Sequence, residues 1–101
     1  MYNKITLLGY VGIIKDLQFT SSGAAILHFQ LATKYKYNKN SKDITSWHDV
    51  VLFGKFAQVF ADLLKPKQIV FCEGRMGYSQ YEADGVKHSR AQVFAESFNS
   101  L

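Results

Sequence analysis

The stretch Ile44 to Lys55, read as Ile-Thr-Ser-Trp-His-Asp-Val-Val-Leu-Phe-Gly-Lys, constrains the fold more than any other in the chain. Its β-branched and aromatic residues alternate with period two, which predicts a strand. On that period Trp47, Asp49, Val51 and Phe53 point one way, and His48, Val50 and Leu52 the other. The second set can pack a core. The first places the only tryptophan and a phenylalanine on the opposite face, with Lys55 just beyond. Flat rings beside a cation suit the bases and phosphates of an unpaired nucleic acid strand. A strand buried on both faces would use the same two rings simply as packing.

The flanking segments extend the pattern. Ile5 to Val11 is an apolar strand interrupted by Gly9, with Gly12 following, and glycines inside strands mark bulges or bends. Thr20-Ser21-Ser22-Gly23 predicts a turn. From Ala25 to Thr33 the pattern alternates, with Leu27, Phe29 and Leu31 on one face and Ile26, His28 and Gln30 on the other. Tyr35 to Asp43 is polar and carries lysines, as a solvated hairpin loop does.

After Gly54 the period lengthens. Phe56, Val59, Phe60, Leu63 and Leu64 mark an amphipathic helix closed by Pro66. Ile69 to Tyr81 reads as a strand bent at Gly74 and Gly77, Asp84-Gly85 as a hairpin turn, and Val86 to Phe98 as the last strand. Three strands, a helix, then two strands is the order of the OB-fold, a small Greek-key barrel. The expectation is therefore one all-β domain over residues 1–101, a five-stranded OB-fold barrel with one short helix between its third and fourth strands. Closure also removes the open edges that a flat sheet would leave.

Fifteen per cent of the residues are aromatic (one Trp, six Tyr, eight Phe), more than a core of this size needs, so some rings should be exposed. Phe29, Phe60, Phe71 and Phe94 read best as core. The formal net charge of +4 is compatible with a polyanionic partner without demanding one. The lone Cys72 cannot form an internal disulfide, which favours a reducing compartment. Met1 to Leu8 reads as the start of a strand and not as a secretion signal, and no apolar run approaches membrane-spanning length, so a soluble, cytoplasmic protein is expected.

His28, His48, His88 and Cys72 lack paired metal-ligand spacing, and Glu73, Glu82, Asp84 and Glu96 offer no convincing acid/base pair. No phosphate-cradling glycine loop is present. Neither a metal, a cofactor nor catalysis is expected.

Four stretches together carry a resemblance: Asn3-Lys4-Ile5 leading to Gly9 and Gly12, Leu31-Ala32-Thr33, Trp47-His48 with Val50-Val51-Leu52-Phe53-Gly54-Lys55, and Glu73-Gly74-Arg75. In order and spacing the chain resembles the bacterial single-stranded DNA-binding (SSB) family, an OB-fold family that binds single strands by stacking and charge. The resemblance implies that Trp47 and Phe53 stack on bases, that Tyr37 and Tyr81 stand where relatives have further stacking tryptophans, and that Lys55 contacts the backbone. Lys34, Lys36, Arg75 and Lys87 are further candidates for phosphate contact, with Lys39 and Lys42 in the same loop, while Tyr35 and Tyr78 have weaker cases as stackers. His48 matches a histidine at the family's subunit interface, although alternation alone would turn it toward the core. Members usually form homotetramers, less often dimers of two-domain chains, and a one-domain chain is similar to the tetrameric kind.

The departures are informative as well. Ile14-Lys15 replaces the family's Asp-Pro, Asp49 follows His48 where relatives are often basic, and Gly77-Tyr78-Ser79-Gln80 stands in place of an Arg/Lys-rich run. Fewer cations mean fewer phosphate contacts and a shallower salt dependence. The sequence ends at Leu101 without a Gly/Pro/Gln-rich linker or an acidic tip, so recruitment of partner enzymes through such a tip is not expected. The expected role is sequence-independent coating of single-stranded DNA in replication, recombination and repair. The competing role is that of an OB-fold accessory subunit acting through protein contacts, as primosomal relatives do.

Overall fold

The computed structural model describes residues 1–100. Its elements are β1 (Ile5–Ile14), β2 (Gln18–Phe19), β3 (Ala25–Tyr35), β4 (Ile44–Phe53), α1 (Gly54–Leu63), β5 (Ile69–Ala83) and β6 (Val86–Ser100). The sheet runs β1-β5-β6-β4-β3-β2, and an additional β1–β3 pairing joins its ends. One strand closes the ring: β1 pairs with β5 over Ile5 to Tyr10 and with β3 from Tyr10 to Ile14. The result is a five-strand barrel with the helix entering between β4 and β5, and β2 is a two-residue addition on β3. This is the expected OB-fold.

Alternation explains how β3 and β4 build both the inside and the outside. Leu27, Phe29, Leu31, Val50 and Leu52 are almost wholly buried and form the centre of the core with Val70, Cys72 and Val93. Phe29 meets Phe98 edge-on at 5.6 Å, and Phe98 meets Phe60 of the helix at 4.6 Å, so α1 plugs the barrel end through a cluster of rings.

The helix is rotated relative to the expected apolar stripe. Ala57 is its buried residue, Phe56, Phe60 and Ala61 pack against the core, and Val59 and Leu63 are exposed. At about 100° per residue, Ala57 and Ala61 pull the buried arc away from Val59. Small alanines allow the helix to sit close to the barrel, and bulky side chains alone did not mark that arc.

β5 and β6 outrun the barrel. Every residue from Tyr78 to Ala91 is exposed, and the ladder from Gly77 to Ala83 carries the hairpin about 20 Å onward at strand rise. Asp84 (φ 54°) and Gly85 (φ 78°) both take the left-handed conformation, as a two-residue type I′ turn requires.

A bulge interrupts this hairpin where it joins the barrel. Glu73 pairs with Ser97, but Gly74 pairs with Ala95, so Glu96 is an extra residue on β6. Phe98 and Phe94, four apart, would share a face on an unbroken strand. The bulge instead leaves Phe98 inside with Val93 and turns Phe94 to the outer face.

Candidate nucleic-acid interface

Among the described residues, no buried side-chain nitrogen or oxygen lacks a partner. Cys72 is fully buried in the core, and burial, with Glu73 adding to it, pushes its thiol up to about 11. No group of three or more His, Cys, Asp and Glu is gathered among the described residues, and no helix is long and apolar enough to cross a membrane. The distinctive groups are outside.

On the outer face of β4, Trp47 is 58% exposed and Phe53 45% exposed, although Val51 between them is buried. Two features set the ring positions. Trp47 lies against Gly12 of β1, where a Cβ would fall 2.5 Å from the indole ring. Phe53 lies parallel to Phe94 of β6, with centroids 5.7 Å apart and planes at 11°. Phe94 is itself backed by Arg75 of β5, whose guanidinium carbon is 4.9 Å from the ring centroid, and by Gly77, where a Cβ would fall 2.2 Å from the ring. Phe53, Phe94 and Arg75 therefore form a layered stack whose outermost ring faces solvent.

Phe94 is thus not a core residue, contrary to expectation, because the Glu96 bulge turns it outward. Phe71, also expected in the core, is half-buried opposite the exposed Leu8 of β1. Phe29 and Phe60 take the core positions expected of them.

The remaining candidates are spread around this face. Tyr37 is highly exposed in the 36–43 loop, edge-on to Tyr35 at 5.5 Å. Tyr81 projects from the hairpin, stacked on His88 at 5.3 Å and 22°, with the Arg90 guanidinium 5.6 Å from its ring. Arg90 also reaches Asp49 at 3.9 Å, so the one carboxylate on the outer face of β4 is partly neutralised.

Tyr78 is exposed on the other face of the hairpin, opposite Ala91. Lys87 shares that other face and is paired in register with Glu82, and it lines a shallow pocket with Gln80, Tyr81 and Glu82. Lys34 lies on the outer face of β3, whereas Lys36 faces Asp43 at 3.8 Å. Lys55 is exposed in the first turn of α1, a helix start with no side-chain cap and no acidic residue. Its charge adds to the positive end of the helix dipole. His48 is half-buried on the inward side of β4 at its middle and shares a 2.9 Å hydrogen bond between Nε2 and the Thr33 hydroxyl.

Several contributors went unread in the sequence. Phe94 backs Phe53, Arg90 and His88 support Tyr81 on the hairpin, and Tyr10 of β1 lines the same groove as Trp47. The small neighbours Gly12 and Gly77 were the available signal, since each leaves space that a ring fills.

Comparison with known proteins finds relatives that share the fold. A single-stranded DNA-binding protein of Thermus aquaticus is 36% identical over 102 residues, covering 98% of this chain and 39% of that protein. One from Xanthomonas axonopodis pv. citri is 32% identical over 103 residues, covering 98% of this chain and 57% of its own. The crystal structure of the wild-type Thermus aquaticus protein superposes with a TM-score of 0.85 at 35% identity, over 99% of this chain and 50% of that one. The chain thus spans about two-fifths of the Thermus relative's length. The sequence model of the Single-strand binding protein family matches residues 2–101, and the chain belongs to that family.

Proposed function

We propose that this domain binds single-stranded DNA without regard to sequence, by stacking bases on Trp47, Phe53, Tyr37 and Tyr81 and neutralising phosphates with Lys34, Lys55 and Arg75. One observation carries the reading: the strands that seal the core hold Trp47 and Phe53 open to solvent on their other face. Exposed rings cost hydrophobic free energy unless something covers them, and base faces are available only in unpaired strands. The Thermus and Xanthomonas relatives are single-stranded DNA-binding proteins. The family is non-enzymatic, and the proposed role needs no reacting group.

Lys36 and Lys87, each opposite a carboxylate, contribute less in this reading than Lys34 and Lys55. Self-association into a homotetramer belongs to the same proposal. It is supported by Ile5 to Leu8, which pair with β5 but not with β3, by the exposed Leu8 beside them, and by the half-buried His48. The setting is the handling of single strands in bacterial replication, recombination and repair, in the cytoplasm at the nucleoid.

The test is titration with oligo-dT against a duplex of equal length. Emission from Trp47, the only tryptophan, should fall with oligo-dT and not with duplex. Negligible binding of either would favour an accessory subunit that docks on protein.

A further inference from the structure

Resting on that reading, we propose that Tyr10, Ala32 and Trp47 form a slot for one unstacked base, with Tyr10 a further stacking ring and Lys34 the phosphate contact beside it. Register places the three in one row: Tyr10 of β1 is opposite Ala32 of β3, and Ala32 is opposite Trp47 of β4. Directly opposed residues point to the same side of a sheet, so all three share the outer face. The two large side chains flank a methyl group. Tyr10 is 45% exposed and Trp47 58%, whereas Ala32 lies low between them at 5%.

The Trp47 indole leans across β3 to Gly12 of β1, so the indole and the Tyr10 ring border the same stretch of surface over β1 and β3. The space is real. These residues line an open groove of about 920 Å³ together with Gly12, Ile13 and Gln30.

Charge identifies the occupant. The charged residues lining the groove are Lys34 and Lys67, and no carboxylate lines it. An apolar slot with cationic margins fits a base attached to a phosphate backbone better than it fits an acidic or purely apolar surface. The Lys34 ammonium sits 5.7 Å from the centre of the Tyr10 ring, within cation–π reach. A base that covers Tyr10 displaces this ammonium to the margin, where it meets the adjoining phosphate. Gln30, on the same face of β3, presents an amide that can donate to or accept from any base edge, which suits a site that reads no sequence.

The experiment measures affinity of the full chain for oligo-dT and for an abasic oligodeoxyribose phosphate of equal length, with light-scattering mass recorded for each variant. Tyr10→Ala should weaken oligo-dT binding about five- to a hundredfold and leave abasic binding unchanged. Tyr10→Phe should restore it, and Ala32→Leu, which fills the floor, should weaken it while leaving abasic binding intact. Three results would overturn the slot: native oligo-dT affinity in Tyr10→Ala, an equal loss on the abasic probe, or a drop in mass showing that the face joins two copies. If the unaltered protein fails to bind oligo-dT, the broader reading has failed. If it binds and Trp47→Ala weakens it while Tyr10→Ala does not, only the slot has.

Discussion

The outer face holds two aromatic arrangements of opposite kind. At the Phe53 end, the protein fills its own stack: Phe94 lies beneath Phe53, and Arg75 lies against Phe94. At the Trp47 end, the middle of the row is Ala32, the indole leans across to Gly12 of β1, and an open groove is left beside the indole and Tyr10. A filled stack presents one ring face whose orientation is fixed in advance, because the layers below it are protein. The open groove holds no second protein ring, which is the room that the proposed base would take. Both rest on the same β3–β4 ladder, so neither arrangement is separable from the barrel beneath.

That shared support gives the largest expected effect. Phe29→Ala removes a fully buried ring that meets Phe98, and should cost about 3–5 kcal/mol of stability in denaturant unfolding. Both arrangements should then lose ligand affinity together. If one survives intact, they do not depend on a common core.

Substitutions on the surface should divide them. Trp47→Ala should weaken oligo-dT binding by about 1–3 kcal/mol with little change in melting temperature. Phe53→Ala should cost less, about 1 kcal/mol, because it uncovers Phe94, a second ring nearly parallel to the first. Equal losses would mean that the buried layer does not substitute for the outer one.

Charge offers a finer probe between the two ends, where Asp49 engages Arg90. Asp49→Asn should free that guanidinium and tighten oligo-dT binding by at most about 1 kcal/mol at low salt, a gain that fades as salt is added. The smallest effect concerns His28, on the outer face of β3. Burial, followed by the nearby Lys15, holds its imidazole below the ordinary value of 6.5. A depressed folded pKa means that the neutral ring favours the fold. Its stabilisation is complete above pH 6.5 and fades as pH falls through the depressed value. Unfolding free energies measured against pH should show this decline, and His28→Gln should flatten it.

Strand order, helix position and the outward turn of Trp47 and Phe53 were legible in the sequence because period-two alternation in β3 and β4 is unbroken. Where alternation breaks or has no contrast, the reading failed. Phe94 and Phe98 share a face on a regular strand, and only the extra residue at Glu96 separates them. In β1, Leu7 and Val11 face inward while Leu8 and Tyr10 face outward, so apolar character on both sides hid Tyr10. On the helix, two alanines outweighed the larger Val59 and Leu63 in setting the buried arc. The face of the hairpin that Lys87 takes follows from a pairing register that sequence does not display.

The projecting β5–β6 hairpin carries a thermodynamic consequence of its own. From Tyr78 to Ala91 every residue is exposed, so its ladder, its turn, the Tyr81–His88 stack and the Arg90–Asp49 pair hold it in place without a core beneath it. Such a segment can open locally without melting the barrel, and its amides should exchange with solvent hydrogen well before those of β3 and β4. A strand that engages Tyr81 must then meet the entropy of quieting this arm, whereas one that engages Trp47 meets a surface already anchored to the core.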